Sequence, residues 1–416
     1  MAVRGKRVLV AAVGDANNPI TWSGIPYHML QAGGAIGLFD EGLRLATHKR
    51  IWTIRRYAWN LRRIATAADG PGGYQYSDDF LERLWTSVRE HVRDAVVVSC
   101  FQLFPPSIVA DSTIEKWFCT DMTLTQLFRD YGLGRSTGRN AAEQALKRER
   151  EGYDKAVGII MHSQWAADSV VRDYGIPADK VHVVVAGASI ESQVYDHWEQ
   201  RVLRRVSQEQ ELVDRPLRLV FVGKDWRRKG LDRLLRAFVL ARNGGFNGTL
   251  RVVGCDRRSL PAALQRTGGV EWCGFVDKGR DALRFLDLIA ECDLACHLSR
   301  AEAGGIAQRE FHALGLAILG TDVGGARAHR LSDASVDVPA DASDEFLAEQ
   351  LVALGRSPQR VCDMKAAAWR HRRECLWSAS IEKLASLLRS RGPRAEPGPG
   401  ARPPTVTEAT HESPNG

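Results

Sequence analysis

The 416-residue chain contains no Cys-x-x-Cys pair, no Asp-x-Asp sequence and no apolar run near the ~18 residues that a membrane-spanning helix needs. The first absence removes the usual thiolate metal and dithiol redox motifs. The last leaves no helix expected to cross a bilayer. Eight cysteines are scattered through apolar stretches such as Val96–Cys100 and Trp272-Cys273-Gly274. They predict small buried hydrophobes in a reducing compartment, not a disulfide framework. Cys292, Cys296 and His297 stand close enough to raise a metal site. No second ligand pair has metal spacing, so a helix end running into a buried strand is the better reading. Excess charge of one sign is also small: 57 Lys and Arg against 50 Asp and Glu give +7. A dedicated nucleic-acid binder usually carries more, so no nucleic-acid partner is expected. An anionic substrate or an anionic membrane surface remains compatible with the excess.

With 44% hydrophobic residues, 26% charged residues and 38 glycines, the chain is not collagen-like, wholly disordered or a disulfide scaffold. Its length suits two or three domains. What recurs is a short apolar run, a turn, then an amphipathic stretch. The runs are 8–13, 95–100, 157–162 and 181–186 in the first half. In the second they are 217–222, 250–253, 270–275, 294–298, 317–320 and 335–338. Such runs, alternating with helical patterns, predict parallel strands buried on both faces. Two successive series predict two doubly wound α/β domains. Residues 4–14 resemble a short signal peptide but lack a small-residue cleavage site, so they are assigned to the first core strand. The protein is expected in the cytoplasm. The polar stretch 191–216 marks the boundary between the series. The expected division is 1–200, 201–376, a helix at 377–391 and a proline-rich, disordered tail at 392–416.

The strongest chemical signal lies between residues 294 and 325. A strand ends near Ser299, a loop carries Glu302, and Gly304-Gly305 open a helix bearing Glu310. That spacing is just over two helical turns, so the carboxylates can converge on one crevice at the strands' C-terminal edge. The glycine pair lets backbone N–H groups at a helix N-terminus approach an anion such as a diphosphate. A second cluster, Gly223-Lys224-Asp225-Trp226-Arg227-Arg228-Lys229-Gly230, sits in the first βα turn of the second series and faces the same crevice. Its cations are poorly explained by packing; a solvated basic loop is the alternative.

These motifs resemble glycosyltransferase family 4, whose members are retaining, nucleotide-sugar-dependent enzymes of GT-B architecture, with two Rossmann-like domains facing across a cleft. The resemblance rests on Val222-Gly223-Lys224…Lys229-Gly230, Gly274-Phe275, the Glu302–Glu310 pair with Gly305 between, and Gly324-Gly325. In the first half it rests on Ser163-Gln-Trp-Ala, Tyr174-Gly-Ile-Pro, Lys180-Val and Gly187. It implies that Lys229 and Lys224 neutralise the donor diphosphate and that Glu310 binds the ribose hydroxyls. It implies that Glu302 holds the transferred sugar, near the backbone N–H groups of Gly305 and Ile306. The C-terminal helix is expected to return to the N-terminal, acceptor-side domain. Retention in this family is front-face, with the leaving phosphate oxygen assisting the acceptor and no protein nucleophile.

Three positions depart from the family pattern. Lys224 stands where Arg is common, so the bidentate phosphate fork is lost unless Arg227 or Arg228 supplies it. Gly304 replaces an aromatic residue of the sugar-pocket wall, and Gly315-Leu316-Ala317 replaces Gly-x-Pro. Without Asp-x-Asp, a metal-bridged diphosphate is not expected, so no cofactor is assigned beyond the UDP- or GDP-sugar substrate. The acceptor is a glycan, a lipid-linked sugar or a small molecule. A GT-B nucleotide-sugar epimerase and a non-catalytic nucleotide-sugar-binding module are the alternatives.

On the acceptor side, Thr21-Trp22-Ser23-Gly24 follows the first strand and opens a helix, and Asp121 follows a short apolar run. Ser23, Gly24 and Asp121 are the candidates there. The segment Arg44–Arg63 carries seven cations. Ile51, Ile54, Ala58 and Leu61 form one helical stripe, read as the core face; Trp52, Arg56, Trp59 and Arg63 form another. The tryptophan-bearing face either rests on anionic lipid headgroups, as a peripheral contact on the inner membrane face, or packs on neighbours as part of a solvated amphipathic helix.

Overall fold

The computed structural model describes residues 5–65, 72–205 and 215–390. Two parallel six-stranded sheets carry the fold. The first contains β1 (Val8–Val13), β2 (Glu41–Leu45), β3 (Val96–Ser99), β4 (Glu115–Thr120), β5 (Gly158–Met161) and β6 (Val181–Val183), in the order β2-β1-β3-β4-β5-β6. The second contains β7 (Leu217–Val222), β8 (Gly248–Val253), β9 (Val270–Gly274), β10 (Leu294–His297), β11 (Ala317–Asp322) and β12 (Ser335–Pro339), in the order β12-β11-β10-β7-β8-β9.

The continuous apolar runs follow from burial on both faces. In β1, Val8, Val10 and Ala12 enter one apolar layer while Leu9 and Ala11 enter the other. In β7, Leu219 and Phe221 face one layer and Val220 the opposite one. A strand of period two covered on both sides has no polar face to show. The chain order reverses between β7 and β10, which pair directly through Leu294 and Leu219. Crevices outside the carboxyl ends of strands form at such switch points, so the loops after β7 and β10 meet there.

Three features differ from the sequence expectations. Strand β2 is not among the apolar runs, and β4 enters only as the short apolar run before Asp121, outside the strand series; both begin with charged residues. Glu115 instead pairs with Lys6 at 3.1 Å, and the Lys116 ammonium donates to the Ile114 carbonyl at 3.0 Å. The polar stretch after residue 190 is not a plain connector: Ser192–Arg205 is a helix whose buried Tyr195 and Trp198 pack in the second unit's core. The helix Lys49–Ala65 corrects the face assignment. Ile51, Ile54 and Leu61 are 47%, 67% and 68% exposed, whereas Trp52 and Trp59 pack against the first unit's core. The Trp59 indole N–H donates to the Gly72 carbonyl at 2.8 Å. A ring with both a large apolar area and a satisfied N–H outcompetes an aliphatic stripe for the covered face.

The chain crosses between the units twice, side by side. Ala188 N–H donates to the Cys375 carbonyl at 2.7 Å, and the Ser380 hydroxyl donates to Val185 O at 2.7 Å. A Cβ on Gly187 would lie 2.2 Å from the Trp377 nitrogen, so this crossing requires glycine. The helix Trp377–Ser390 then buries Trp377, Ile381, Leu384 and Leu388 beside Val8, Val10 and Met29 of the first unit. Residues 392–416, read as a tail, lie outside the described residues, as does residue 391, placed at the end of the helix.

Candidate functional site

A cavity of about 680 Å³ lies between the two units, where the strand ends of both sheets face each other. Its second-unit wall includes Gly223, Lys224, Arg228 and Lys229 from the loop after β7. From the loop after β10 and its helix come Glu302, Gly304, Gly305, Ile306 and Glu310. Ser23 and Asp121 line the opposite wall. Gly24 lies next to this lining, as the left-handed N-cap of the helix Ile25–Ala35. The structure therefore brings the candidate residues from both halves of the chain to one cleft.

Glu302 is only 7% exposed, yet four donors converge on its Oε2. The Lys229 ammonium forms an ion pair with it. His297 Nε2 lies at 3.2 Å, the Ser299 hydroxyl at 3.3 Å and an Arg228 guanidinium nitrogen at 3.4 Å. Burial by itself would raise the carboxyl's pKa, but Lys229, then His297 and Arg228, hold it well below the ordinary carboxylate range. Oε1 has no hydrogen-bond partner among the described residues and remains for a ligand. The loop's path is fixed by glycine: Gly325 N–H donates to the Glu302 carbonyl at 3.0 Å. A Cβ on left-handed Gly324 would sit 2.2 Å from that same oxygen.

Glu310, 1% exposed, pairs with Lys278 from the loop after β9. Between the two carboxylates, left-handed Gly305 caps the helix Ile306–Ala313 with no side-chain acceptor. The helix therefore presents unfilled N–H groups at the cavity, a preformed anion site. Lys224 lies over the Phe275 ring at 4.4 Å and pairs with no carboxylate among the described residues. It is thus available to an incoming anion, whereas Lys229 and Arg228 are already engaged with Glu302.

On the first-unit wall, Trp22 and Ser23 adopt left-handed backbone conformations (φ +43° and +58°), and Gly24 follows at +83°. Two consecutive non-glycine residues in this region store strain, a feature that clusters at ligand-binding loops. The Ser23 carbonyl accepts the Ser189 hydroxyl at 2.8 Å, which holds the loop against the crossing segment. His28 is neutral near pH 7: burial, then the charge of Lys278, lowers its pKa to about 4. Asp121 is pushed up to about 7, by burial first and by the charge of Glu302 second. A carboxyl raised above its unfolded value binds its proton more tightly in the native state. The stability it contributes is therefore full at low pH and is lost as pH rises through about 7. Asp121→Asn is accordingly expected to flatten the fall in melting temperature between pH 5 and pH 8; identical slopes for variant and wild type would contradict this assignment.

Sequence reasoning did not single out Lys278, His297 as a partner of Glu302, or Tyr131, whose hydroxyl accepts the Ala303 N–H at 3.0 Å across the cleft. Lys278 and Tyr131 reach the site from other loops, so local spacing carries no signal for them; His297 ends β10 only five residues before Glu302, where it reads as a buried strand residue. Among the described residues, no group of three His, Cys, Asp or Glu side chains is arranged to hold a metal ion, and Cys292 and Cys296 are buried free thiols.

Residues 216–356 match the family described as glycosyl transferases group 1. The lipopolysaccharide glucosyltransferase WaaG of Escherichia coli (strain K12) is 36% identical over 147 residues, 34% of this chain and 38% of that protein. The D-inositol 3-phosphate glycosyltransferase of Corynebacterium diphtheriae is 26% identical over 269 residues, 61% of each. These alignments span less than two thirds of either relative's length. The solved structure of WaaG superimposes on 92% of this chain and 100% of its own, with a TM-score of 0.59 at 16% identity. That of Anabaena HepE in complex with UDP covers the same shares, with a TM-score of 0.61 at 14% identity. The chain is therefore a GT-B-fold protein whose residues 216–356 match the glycosyl transferases group 1 family.

Proposed function

We propose that the cleft transfers a hexose-type sugar from a UDP- or GDP-sugar to a glycan, lipid-linked or small-molecule acceptor, with retention at the anomeric carbon. The observation that carries this reading is the Glu302 carboxylate: Oε2 is saturated by Lys229 and its neighbours, while Oε1 is open beside the uncapped helix at Gly305. Oε1 accepts a sugar hydroxyl, and Glu310 exchanges Lys278 for the ribose hydroxyls. Lys224 and the helix N-terminus take the diphosphate charge without a metal ion. Stabilising the departing diphosphate electrostatically favours a charge-separated transition state. The bond from the anomeric carbon to the diphosphate oxygen breaks, and the acceptor oxygen bonds to the same face. The acceptor proton passes to the leaving phosphate oxygen, so no protein nucleophile is needed. The kinship to sugar transferases and the HepE complexes with UDP and UDP-glucose support the nucleotide-sugar donor. The test is a panel of UDP- and GDP-sugars with release of UDP or GDP followed over time. Slow release from at least one donor is expected. Conversion of a donor to its epimer would favour the epimerase reading, and binding without release the non-catalytic module.

The same reading includes peripheral contact with an anionic lipid surface through the helix Lys49–Ala65. Among the described residues no helix is long and apolar enough to cross a membrane. This helix buries no residue, has no acidic side chain and flanks its exposed Ile51–Ile54–Leu61 stripe with Arg50, Arg55 and Arg62, while Arg56 and Arg63 lie over the Trp52 and Trp59 rings of the other face. The aliphatic stripe, not the tryptophan face, is what a bilayer would cover. Ile54→Glu/Leu61→Glu should leave the melting temperature unchanged and reduce co-sedimentation with phosphatidylglycerol vesicles at least ~10-fold, since fully burying each aliphatic side chain is worth ~1.5–3 kcal/mol. Equal sedimentation of variant and wild type would remove the membrane from the account, as would equal binding to phosphatidylcholine vesicles.

A further inference from the structure

We infer that Tyr131 is a positioning residue that seats the Glu302 loop from across the cleft, so that the sugar-binding carboxylate is fully ordered only when the two units are closed on each other. The inference rests on the proposed transferase reading for its kinetic consequence, but its geometry stands without it.

Tyr131 ends the helix Leu124–Asp130 of the first unit and lies among the cavity-lining residues. Its hydroxyl oxygen accepts the backbone N–H of Ala303, the residue after Glu302, at 3.0 Å. Among the described residues, no other hydrogen bond joins residues 5–187 directly to residues 217–371. The second unit's Arg228, which also donates to the Ala301 carbonyl at 3.0 Å and approaches Glu302 Oε2 at 3.4 Å, lies over the Tyr131 ring at 5.6 Å. One first-unit side chain thus touches both the loop backbone and one of the cations that hold the carboxylate. The remaining hydrogen-bonded tethers of the loop, from Gly325 N–H to the Glu302 carbonyl, from Arg228 to the Ala301 carbonyl and from Lys229, His297 and Ser299 to Glu302 Oε2, come from within the second unit. Opening the cleft removes the Tyr131 contacts and leaves those tethers intact, so the loop is loosened without being dismantled.

The hydroxyl is also held in its neutral form, because burial and then the charge of Glu302 raise its pKa. Its own proton has no acceptor among the described residues. While the oxygen accepts from Ala303, that proton is available to a ligand in the cavity.

The position of Tyr131 in the fold makes the coupling stiff. Its helix is anchored below by a buried carboxyl: Glu149 accepts the Leu124 N–H at 3.0 Å and the Tyr153 hydroxyl at 2.8 Å. The Thr123 side chain accepts the Gln126 N–H to close a capping box at the same end. A rigid helix on one side and a glycine-hinged loop on the other place the compliance in the loop.

The test compares Tyr131→Phe, Tyr131→Ala and wild type in the full chain, with amide hydrogen exchange at Ala303 and turnover of UDP-glucose or whichever panel donor is hydrolysed. Tyr131→Phe keeps the ring under Arg228 and should raise Ala303 exchange in ligand-free protein about fivefold, the equivalent of one neutral hydrogen bond. It should lower kcat by a similar factor while UDP affinity, which depends on Glu310 and Lys224, stays within twofold. Tyr131→Ala should lower kcat further, with the same split between kcat and nucleotide affinity. Unchanged Ala303 exchange in the Phe variant overturns the inference. So does an equal loss of kcat, UDP affinity and melting temperature, which would mark a merely structural residue. Faster exchange in a protein that hydrolyses no donor would uphold the contact and sink the transferase reading instead.

Discussion

Lys229→Ala is expected to lower donor turnover by ~10²–10³-fold, the loss typical when one preorganised charge partner is removed from a site of developing charge. The same change should destabilise the fold. Glu302 is almost wholly enclosed, with a side-chain exposure of 8%, and Lys229 is its nearest cation, itself 15% exposed. Removing one partner of a buried pair strands the other, at a cost of about 3 kcal/mol where further donors remain, as His297 and Arg228 do here. The pH dependence fixes the sign. Glu302 is held well below its unfolded pKa, so its contribution to stability is present at neutral pH and is lost only as pH falls through that depressed value. In the variant that pKa rises, and acid unfolding should begin at higher pH. A Lys229→Ala protein with wild-type turnover and an unmoved acid transition would show that the Lys229–Glu302 pair does not organise the site.

Glu310→Ala should separate nucleotide binding from sugar transfer. On the proposed reading Glu310 offers a carboxylate to ribose hydroxyls, and hydrogen bonds to a charged group contribute ~1.5–3 kcal/mol, so UDP affinity should fall about 10–100-fold. Lys278 complicates the comparison, because the alanine variant also frees that ammonium beside the cavity. Glu310→Gln keeps the side-chain shape, and Glu310→Ala/Lys278→Ala removes the released cation. All three should weaken UDP binding. Glu302→Ala, by contrast, should leave UDP affinity nearly unchanged and chiefly reduce turnover, since on the proposed reading Oε1 of Glu302 takes the sugar. Calorimetric titration with UDP, set beside initial rates, separates the two classes. Equal losses of affinity and rate in Glu302 and Glu310 variants would mean that the two carboxylates do not divide the donor between them.

The second unit was more legible in the sequence than the first, for a local reason. Its candidate residues sit on two continuous stretches, 223–230 and 302–310, each following a strand whose apolar run declares it. Lys278 could not be found this way, because it meets Glu310 only after β9 is laid beside β8 and the following loop reaches over. Tyr131 depends on the closing of two units. The helix Lys49–Ala65 shows the limit of periodicity itself. Both stripes were visible, and the choice between them was made by the segment around Gly72–Tyr74, which gives the Trp59 N–H an acceptor and sets the Tyr74 ring 6.1 Å from that indole. Strand β2 stayed hidden and the start of β4 was blurred because tertiary partners, His91 for Glu41 at 2.7 Å and Lys6 for Glu115, satisfy charges that a strand pattern would exclude.

The central claim is that this cleft is built for a nucleoside diphosphate sugar. Calorimetric titration of the full chain with UDP, GDP, UDP-glucose and GDP-mannose tests it most directly. The account predicts saturable one-to-one binding of at least one of the four, weakened in Lys224→Ala and Glu310→Gln. No binding of any of them at millimolar concentration, or binding indifferent to both substitutions, would contradict it.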